Sequence, residues 1–332
     1  MKPVLSILDP SPLFEGQTAA DAFENTLALA GALDGRGWRS FWVQEHHNAR
    51  SFAGAAPEVL IAALTQRTQH LKLGSGGVML PNYSPLKVAE QFCALEALAP
   101  GRIELGVGRA TGADPRTSAA LLGPGAQAFP TMLRMLMDWM LDASGEAPLP
   151  ENHRATGIHV GPRGARPDLW MLSSSPDSAA FAGAMGLKLA FADFLAPGGA
   201  GAALETYRKA FEPSPFAAEP YAAVGLVALA AETEAEARRL SKPAIAWNLA
   251  RNTGDFRAFV PSTEADAVIA TASPEALAAA EGRGVIGAAE DVASRLSAFA
   301  GEHGADELFI LTLAERNEDR IRSYQLIAEA MA

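Results

Sequence analysis

The stretch from His70 to Gly112, HLKLGSGGVMLPNYSPLKVAEQFCALEALAPGRIELGVGRATG, holds two short apolar runs separated by a helical pattern. The first run, HLKLGSGGVML, and the last, GRIELGVG, are strand-sized and bounded by turn-forming residues. Between them Leu86, Ala89, Phe92, Leu95 and Leu98 recur close to helical period, which gives that helix one apolar face. Ser84 and Pro85 stand where an N-cap and a first-turn proline belong. Two strands joined by a crossover helix are placed to run parallel, so the stretch reads as a βαβ unit.

The same alternation continues on both sides. Upstream come VLSIL (4–8), a helix from Thr18 to Leu33, RSFWV (39–43) and a helix opening at Pro57. Downstream, PTMLRMLMDWML is helical, and its methionine-rich stripe reads as core filling. DLWML, LKLAFA, YAAVGLVALA and ELFIL then supply four more strands. Helices PDSAAFAGAM, GAALETYRKAF, a segment from about Thr233 to Asn248, and the closing RIRSYQLIAEAM separate or follow them. Eight strands alternating with helices predict an α/β fold, a (β/α)8 TIM barrel, as a single domain over residues 1–332. The interval 251–287 breaks the even spacing and is expected to be an insertion between strands seven and eight. Its place at the barrel rim makes it a candidate lid.

Composition narrows the function classes. With 27 Lys and Arg against 38 Asp and Glu, the net charge is -11, a balance that argues against nucleic acid as the main partner. Nearly half of the residues (49%) are hydrophobic, enough for a large core, yet no run approaches the roughly 20 apolar residues of a membrane span. The opening MKPVLSILDPSP is too short an apolar run for a signal peptide, so a cytoplasmic protein is expected. The lone Cys93 excludes an internal disulfide and a cysteine-based zinc site, and it reads as a small buried hydrophobe.

Candidate chemistry gathers where strands end, because the functional rim of such a barrel is built from its βα loops. SFWVQEHHNARSF (40–52) runs from a strand into Glu45, His46, His47 and Asn48. A metal site, an acid/base site and a polar turn all fit these residue types. No strong ligand spacing such as HExxH accompanies them, so no metal is expected. Imidazole exchanges protons near neutral pH. LGSGGVMLP places Gly76 and Gly77 at a strand end, where glycine permits close approach of backbone to a ligand or a tight turn. RIELGVGRATG has G-x-G-x-x-x-G spacing and no immediate regular helix after it, which weakens a dinucleotide-loop reading. Arg109 just past that strand suits a phosphate. MLSSSPDSAAF sets Ser175 and Ser178 at a helix start, as caps or as a phosphate cradle. Phe14, Trp42 and Met79 are candidate apolar pocket walls or plain packing.

Taken together FWVQEHHN, the block from Leu71 to Gly112, LWMLSSSPDSAAFAGAMGLKLAFA and ADELFILTLAERNEDRIRSYQLIAEAM resemble the bacterial luciferase-like, flavin-dependent monooxygenases along nearly the whole chain. The resemblance implies FMN at the C-terminal mouth of the barrel, with a deazaflavin as second choice. It also implies a homodimer and a separate flavin reductase as a source of reduced FMN. Carried over by position, His46 matches the active-site histidine and Glu45 the residue beside it. Gly76 and Gly77 match the pair around a non-proline cis peptide, Arg109 the phosphate-binding arginine, and Ser175 and Ser178 the polar residues on the far side of that phosphate. Gly108 stands where the luciferase α subunit has a cysteine, which counts against light emission. The implied reaction is oxygenation of a small organic substrate by reduced FMN and O2. The alternatives are an NAD(P)H-dependent flavin reductase or dehydrogenase, and a non-catalytic flavin-binding protein.

Overall fold

The computed structural model describes residues 2–110, 112–121, 123, 125–149, 151–153, 156–252 and 257–332. The first half runs β1 (Val4–Asp9), α1 (Ala19–Leu33), β2 (Ser40–Val43), α2 (Pro57–Thr65), β3 (Lys72–Met79), α3 (Pro85–Leu98) and β4 (Ile103–Gly108). Next come α4 (Pro115–Ala120), α5 (Phe129–Ser144), β5 (Asp168–Ser173), α6 (Pro176–Ala184), β6 (Lys188–Ala192) and α7 (Ala200–Ala210). The remainder is β7 (Ala222–Ala231), α8 (Glu234–Asn252), α9 (Ser262–Ile269), α10 (Pro274–Glu281), β8 (Gly284–Ala288), α11 (Ala289–His303), β9 (Glu307–Leu311) and α12 (Asn317–Ala330).

Eight of these strands close a parallel barrel in the order β1-β2-β3-β4-β5-β6-β7-β9, with β9 returning to β1. They are the eight strands expected from the sequence. Closure falls on β7, whose first residues pair with β6 on one side and β9 on the other. At ten residues β7 outruns its neighbours, and its end, Val227–Ala231, carries β8 as an extra strand. That strand belongs to the insertion between barrel strands seven and eight. Of the interval 251–287, residues 253–256 lie outside the described residues. Further along, α9 and α10 pack on α8, Ala265 beside Ala246 and Ala280 beside Ile245 and Leu249. Three departures from the sequence reading stand out. The short β8 and the helix α11 were not anticipated, because Gly284–Ala288 carries two glycines and α11 buries only a narrow stripe of Val292, Ala293, Leu296 and Ala300. A short helix, α4, does follow β4, started by Asp114 as N-cap and Pro115 in the first turn. Finally, α8 runs on to Asn252.

Two cores result. The outer one lies between sheet and helices and includes the Met132, Leu136 and Met140 stripe of α5 as well as Cys93. Burial pushes the Cys93 thiol up to about 11, away from thiolate reactivity. The inner core is aromatic: Trp42 meets Trp170 edge-on at 5.2 Å and Phe309 at 4.2 Å. Among the described residues no helix is long and apolar enough to cross a membrane.

Below this aromatic layer the N-terminal ends of the strands bring charges together. Arg39 reaches Glu104 at 2.7 Å and Glu307 at 3.1 Å. Asp168 takes Lys72 at 2.9 Å and Lys188 at 3.1 Å. Glu104 also accepts from Ser40 Oγ (2.8 Å) and from Trp42 Nε1 (2.7 Å), while Tyr221 donates to Glu307 at 2.9 Å. Three cations thus face three carboxylates, and the buried members are saturated with hydrogen bonds, which is the condition under which a buried ion cluster is tolerated. Burial still pushes the Glu307 carboxyl above the usual carboxylate range, against the pull of Arg39.

Replacing Glu104 by alanine leaves Arg39 with Glu307 alone and takes the acceptor from the Trp42 indole N–H and the Ser40 hydroxyl inside the barrel. Urea unfolding is expected to show a loss of about 1–3 kcal/mol, the cost of an unsatisfied buried polar group, whereas removing the exposed Glu205 partner of Lys209 should leave stability nearly unchanged.

Candidate functional site

The mouth of the barrel begins where β2 ends at Val43. Glu45, His46 and His47 all lie beyond the strand, so the alternation that would send neighbouring side chains to opposite faces does not govern them. The His46 amide is fixed by Gly54 O at 2.8 Å and the His47 amide by Gly112 O at 3.2 Å. Those two bonds tie the loop after β2 to itself and to the loop after β4.

The carboxylate of Glu45 is buried (2% exposed) and takes three donors from two loops. Its Oε2 accepts the Met79 amide at 3.0 Å, and its Oε1 accepts Tyr83 OH at 2.9 Å and pairs with His47 Nε2 at 2.7 Å. Burial pushes the Glu45 carboxyl upward and these donors pull against it. Glu45 therefore orients His47, while no hydrogen bond joins it to the His46 ring among the described residues. The carboxylate clamps the loop after β2 to the end of β3, and neither His47 nor Tyr83 was legible as its partner from spacing alone.

His46 has another environment. Its ring stacks on Phe52, with centroids 4.6 Å apart, and its Nδ1 is buried without a hydrogen-bond partner. Burial first, and the neighbouring His47 second, push its pKa down to about 4. The imidazole is neutral at physiological pH. Phe52 leads into an aromatic wall: it meets Trp247 at 5.6 Å and Phe259 at 5.7 Å, and Phe259 continues to Phe14 at 5.2 Å. Helix α8 reaches this wall because Ala244 and Trp247 share its inward stripe, and Trp247 Nε1 donates to Ser51 Oγ at 2.7 Å. Phe14 is buried in this aromatic cluster. Trp42 serves from below, its ring lining a small apolar cavity with Leu8, Leu172, Phe194, Phe309 and Gly76.

Gly76 and Gly77 are joined by a cis peptide, the geometry that the resemblance implied, and the register between β3 and β4 shifts there. A side chain at Gly76 would meet Leu8 at 2.5 Å and Trp42 at 3.2 Å, so glycine is what the packing admits. Across the mouth, Val107 of β4 pairs with Met171 of β5, and continuing that register sets Arg109 level with Ser173. Arg109 is exposed and makes no ion pair among the described residues. Ser175 caps α6 by accepting the Ser178 amide. The hydroxyls of Ser173 and Ser178 lie 2.6 Å apart, those of Ser175 and Ser178 2.9 Å. A free guanidinium and a hydroxyl-lined helix start thus occupy adjacent strand ends. Among the described residues no group of three His, Cys, Asp or Glu side chains is placed to hold a metal.

The luciferase-like monooxygenase family model matches residues 5–307. The chain belongs to that family. Bacillus subtilis YwcH is 38% identical over 334 residues, 99% of each chain. The N-acetyl-S-alkylcysteine monooxygenase of the same organism is 35% identical over 335 residues, 98% of each. The crystal structure of apo-MsnO8 superposes with a TM-score of 0.88 at 36% identity, covering 99% of this chain and 98% of that one. As a luciferase-like monooxygenase, the protein is a flavin-dependent oxidoreductase.

The depressed pKa of His46 has a stability consequence. In the unfolded chain this imidazole takes up a proton near pH 6.5; in the folded protein it resists until about 4. Its contribution is therefore complete above pH 6.5 and is lost as pH falls toward 4. His46→Gln should flatten the stability profile in that window, and NMR titration of the wild-type ring should show no protonation near pH 6.5.

Proposed function

We propose that this chain is an FMN-dependent monooxygenase that oxygenates a small organic substrate with reduced flavin and O2 at the barrel mouth. The observation that carries this reading is the buried, neutral His46 with an unbonded Nδ1, on the same rim as an uncommitted guanidinium and a serine-lined helix start. When bound, reduced FMN supplies the two electrons with which O2 is split between product and water. The chain supplies the rest. Arg109 meets the phosphate as a fixed cation, and Ser175 and Ser178 offer hydroxyl donors to it at the start of α6. Gly76 and Gly77 present bare backbone to a flat ring. His46, uncharged, offers Nδ1 as a hydrogen-bonding atom, a state that suits a water-poor pocket. Glu45 acts as a positioning residue, through Met79, Tyr83 and His47.

The segment 251–287 serves in this reading as cover for the site. Phe259 bridges to Phe14, and Ser51 Oγ donates to Arg257 O at 2.7 Å, so the stretch after residue 256 is already fastened to the rim. The working form is a cytoplasmic homodimer supplied by a separate flavin reductase. Val59 of α2 and Leu98 of α3, both more than 60% exposed, are apolar residues that a partner would cover.

The phosphate grip is tested by binding. Arg109→Ala is expected to weaken FMN about tenfold or more, on the scale of a charge-assisted bond, and to leave riboflavin nearly unchanged. Equal losses for the two ligands would remove Arg109 from the phosphate site. Mass spectrometry of the cofactor retained on native purification separates FMN from a deazaflavin. Failure to bind either would end the oxygenase reading.

A further inference from the structure

Residues 244, 247 and 251 fall on one face of α8, spaced three and seven apart. The first two, Ala244 and Trp247, pack into the aromatic cluster at the mouth. One turn further on, Arg251 follows the same stripe, and its guanidinium lies 5.1 Å from the centre of the Trp247 ring. Trp247 is stacked in turn on Phe259 at 5.1 Å, so the arginine extends an aromatic wall instead of projecting freely into solvent. The wall leads stepwise to the imidazole: 5.1 Å from Arg251 to Trp247, 5.6 Å to Phe52 and 4.6 Å to His46.

Among the described residues no carboxylate neutralises the charge of Arg251. It is half-buried and has no ion pair with a carboxylate among the described residues. The charged group that acts on it is Arg283, ahead of β8, and burial and this second cation both press its pKa downward. A cation in the last turn of a helix gains from the helix dipole. That explains a positive residue at this place in the sequence. It does not explain partial burial over an indole next to a second guanidinium, where an exposed lysine would satisfy the dipole at less cost in desolvation.

We propose that Arg251 is a specificity-determining residue that anchors a carboxylate of the substrate at the rim of the mouth, with the apolar remainder lying along Trp247 and Phe52 toward His46. The preferred substrates are then small organic acids with an apolar arm, not neutral hydrocarbons. This rests on the monooxygenase reading for its reaction but not for its binding step. A planar guanidinium recognises a carboxylate through two parallel bonds, and the Trp247 ring 5.1 Å away gives it a cation–π neighbour. The related N-acetyl-S-alkylcysteine monooxygenase acts, by its name, on molecules of this shape: a carboxylate at one end and an alkyl thioether at the other.

The test uses FMN-loaded full-length protein and a matched pair of probes, N-acetyl-S-butylcysteine and its primary amide, which differ in the anion alone. Calorimetry is expected to show the acid binding about tenfold or more tightly than the amide, the range of one charge-assisted contact. Arg251→Gln should abolish that preference, Arg251→Lys should restore part of it, and FMN affinity should be unchanged in both. Equal binding of the two probes, an undiminished preference in Arg251→Gln, or no binding of either would overturn the proposal. So would a loss of FMN affinity in Arg251→Gln without a change in acid preference, since Arg251 would then serve the flavin phosphate. The same titration on flavin-free protein separates the two readings. If FMN fails to bind but the acid preference survives, the oxygenase reading falls and the carboxylate anchor stands.

Discussion

The carboxylate of Glu104 holds the barrel together from the inside. It takes Arg39, the Ser40 hydroxyl and the Trp42 indole N–H at once, in a space from which water is excluded. A parallel barrel of eight strands has to fill its interior, and this chain fills it in layers. A neutralised ion cluster forms the floor, an aromatic layer that includes Trp42, Trp170 and Phe309 forms the middle, and an open rim remains above. The floor fixes Trp42, whose ring then sets how much room is left at Gly76. The glycine pair, its cis peptide and the small apolar cavity beside it follow from where that indole has been placed.

The rim has its own dependency. Glu45 is the point at which the loops after β2 and β3 are locked together, and the His47 amide bond to Gly112 adds the loop after β4. These contacts hold His46 against Phe52 without spending its Nδ1. A buried polar atom left unpaired costs free energy, commonly about 1–3 kcal/mol, and such a cost persists where function needs the atom free. The result is a rim with a neutral imidazole, an exposed guanidinium at Arg109 and a serine-lined helix start, walled by aromatics that α8 brings in from the far side. In a luciferase-like monooxygenase that combination separates the tasks: the cofactor carries electrons, and the protein carries position, protonation state and access.

Much of the fold was legible in the sequence because all eight barrel strands are short apolar runs bounded by turn residues, with helices of amphipathic period between them. Their limits agree with the structure to within a residue or two. What escaped reading had weak local signals. β8 is a five-residue strand with two glycines, stable only because β7 extends past its neighbours to meet it. The inward stripe of α8 is equally silent in sequence, since Ala244, Trp247 and Arg251 look like three unrelated residues until the helix is laid across the mouth.

The sequence by itself determined the barrel, the placement of His46, Arg109 and Ser175 just past strand ends, and the acidic character of the chain, since these depend on composition, period and the ends of strands; Gly76 and Gly77, read at a strand end, lie within β3. Tertiary structure alone decided which groups meet. It turned Glu45 toward His47 and Tyr83, left the His46 imidazole neutral, and drew Phe52, Trp247 and Phe259 from distant segments into one wall. Burial and partner choice are properties of packing between segments far apart in the chain, and no local pattern carries them.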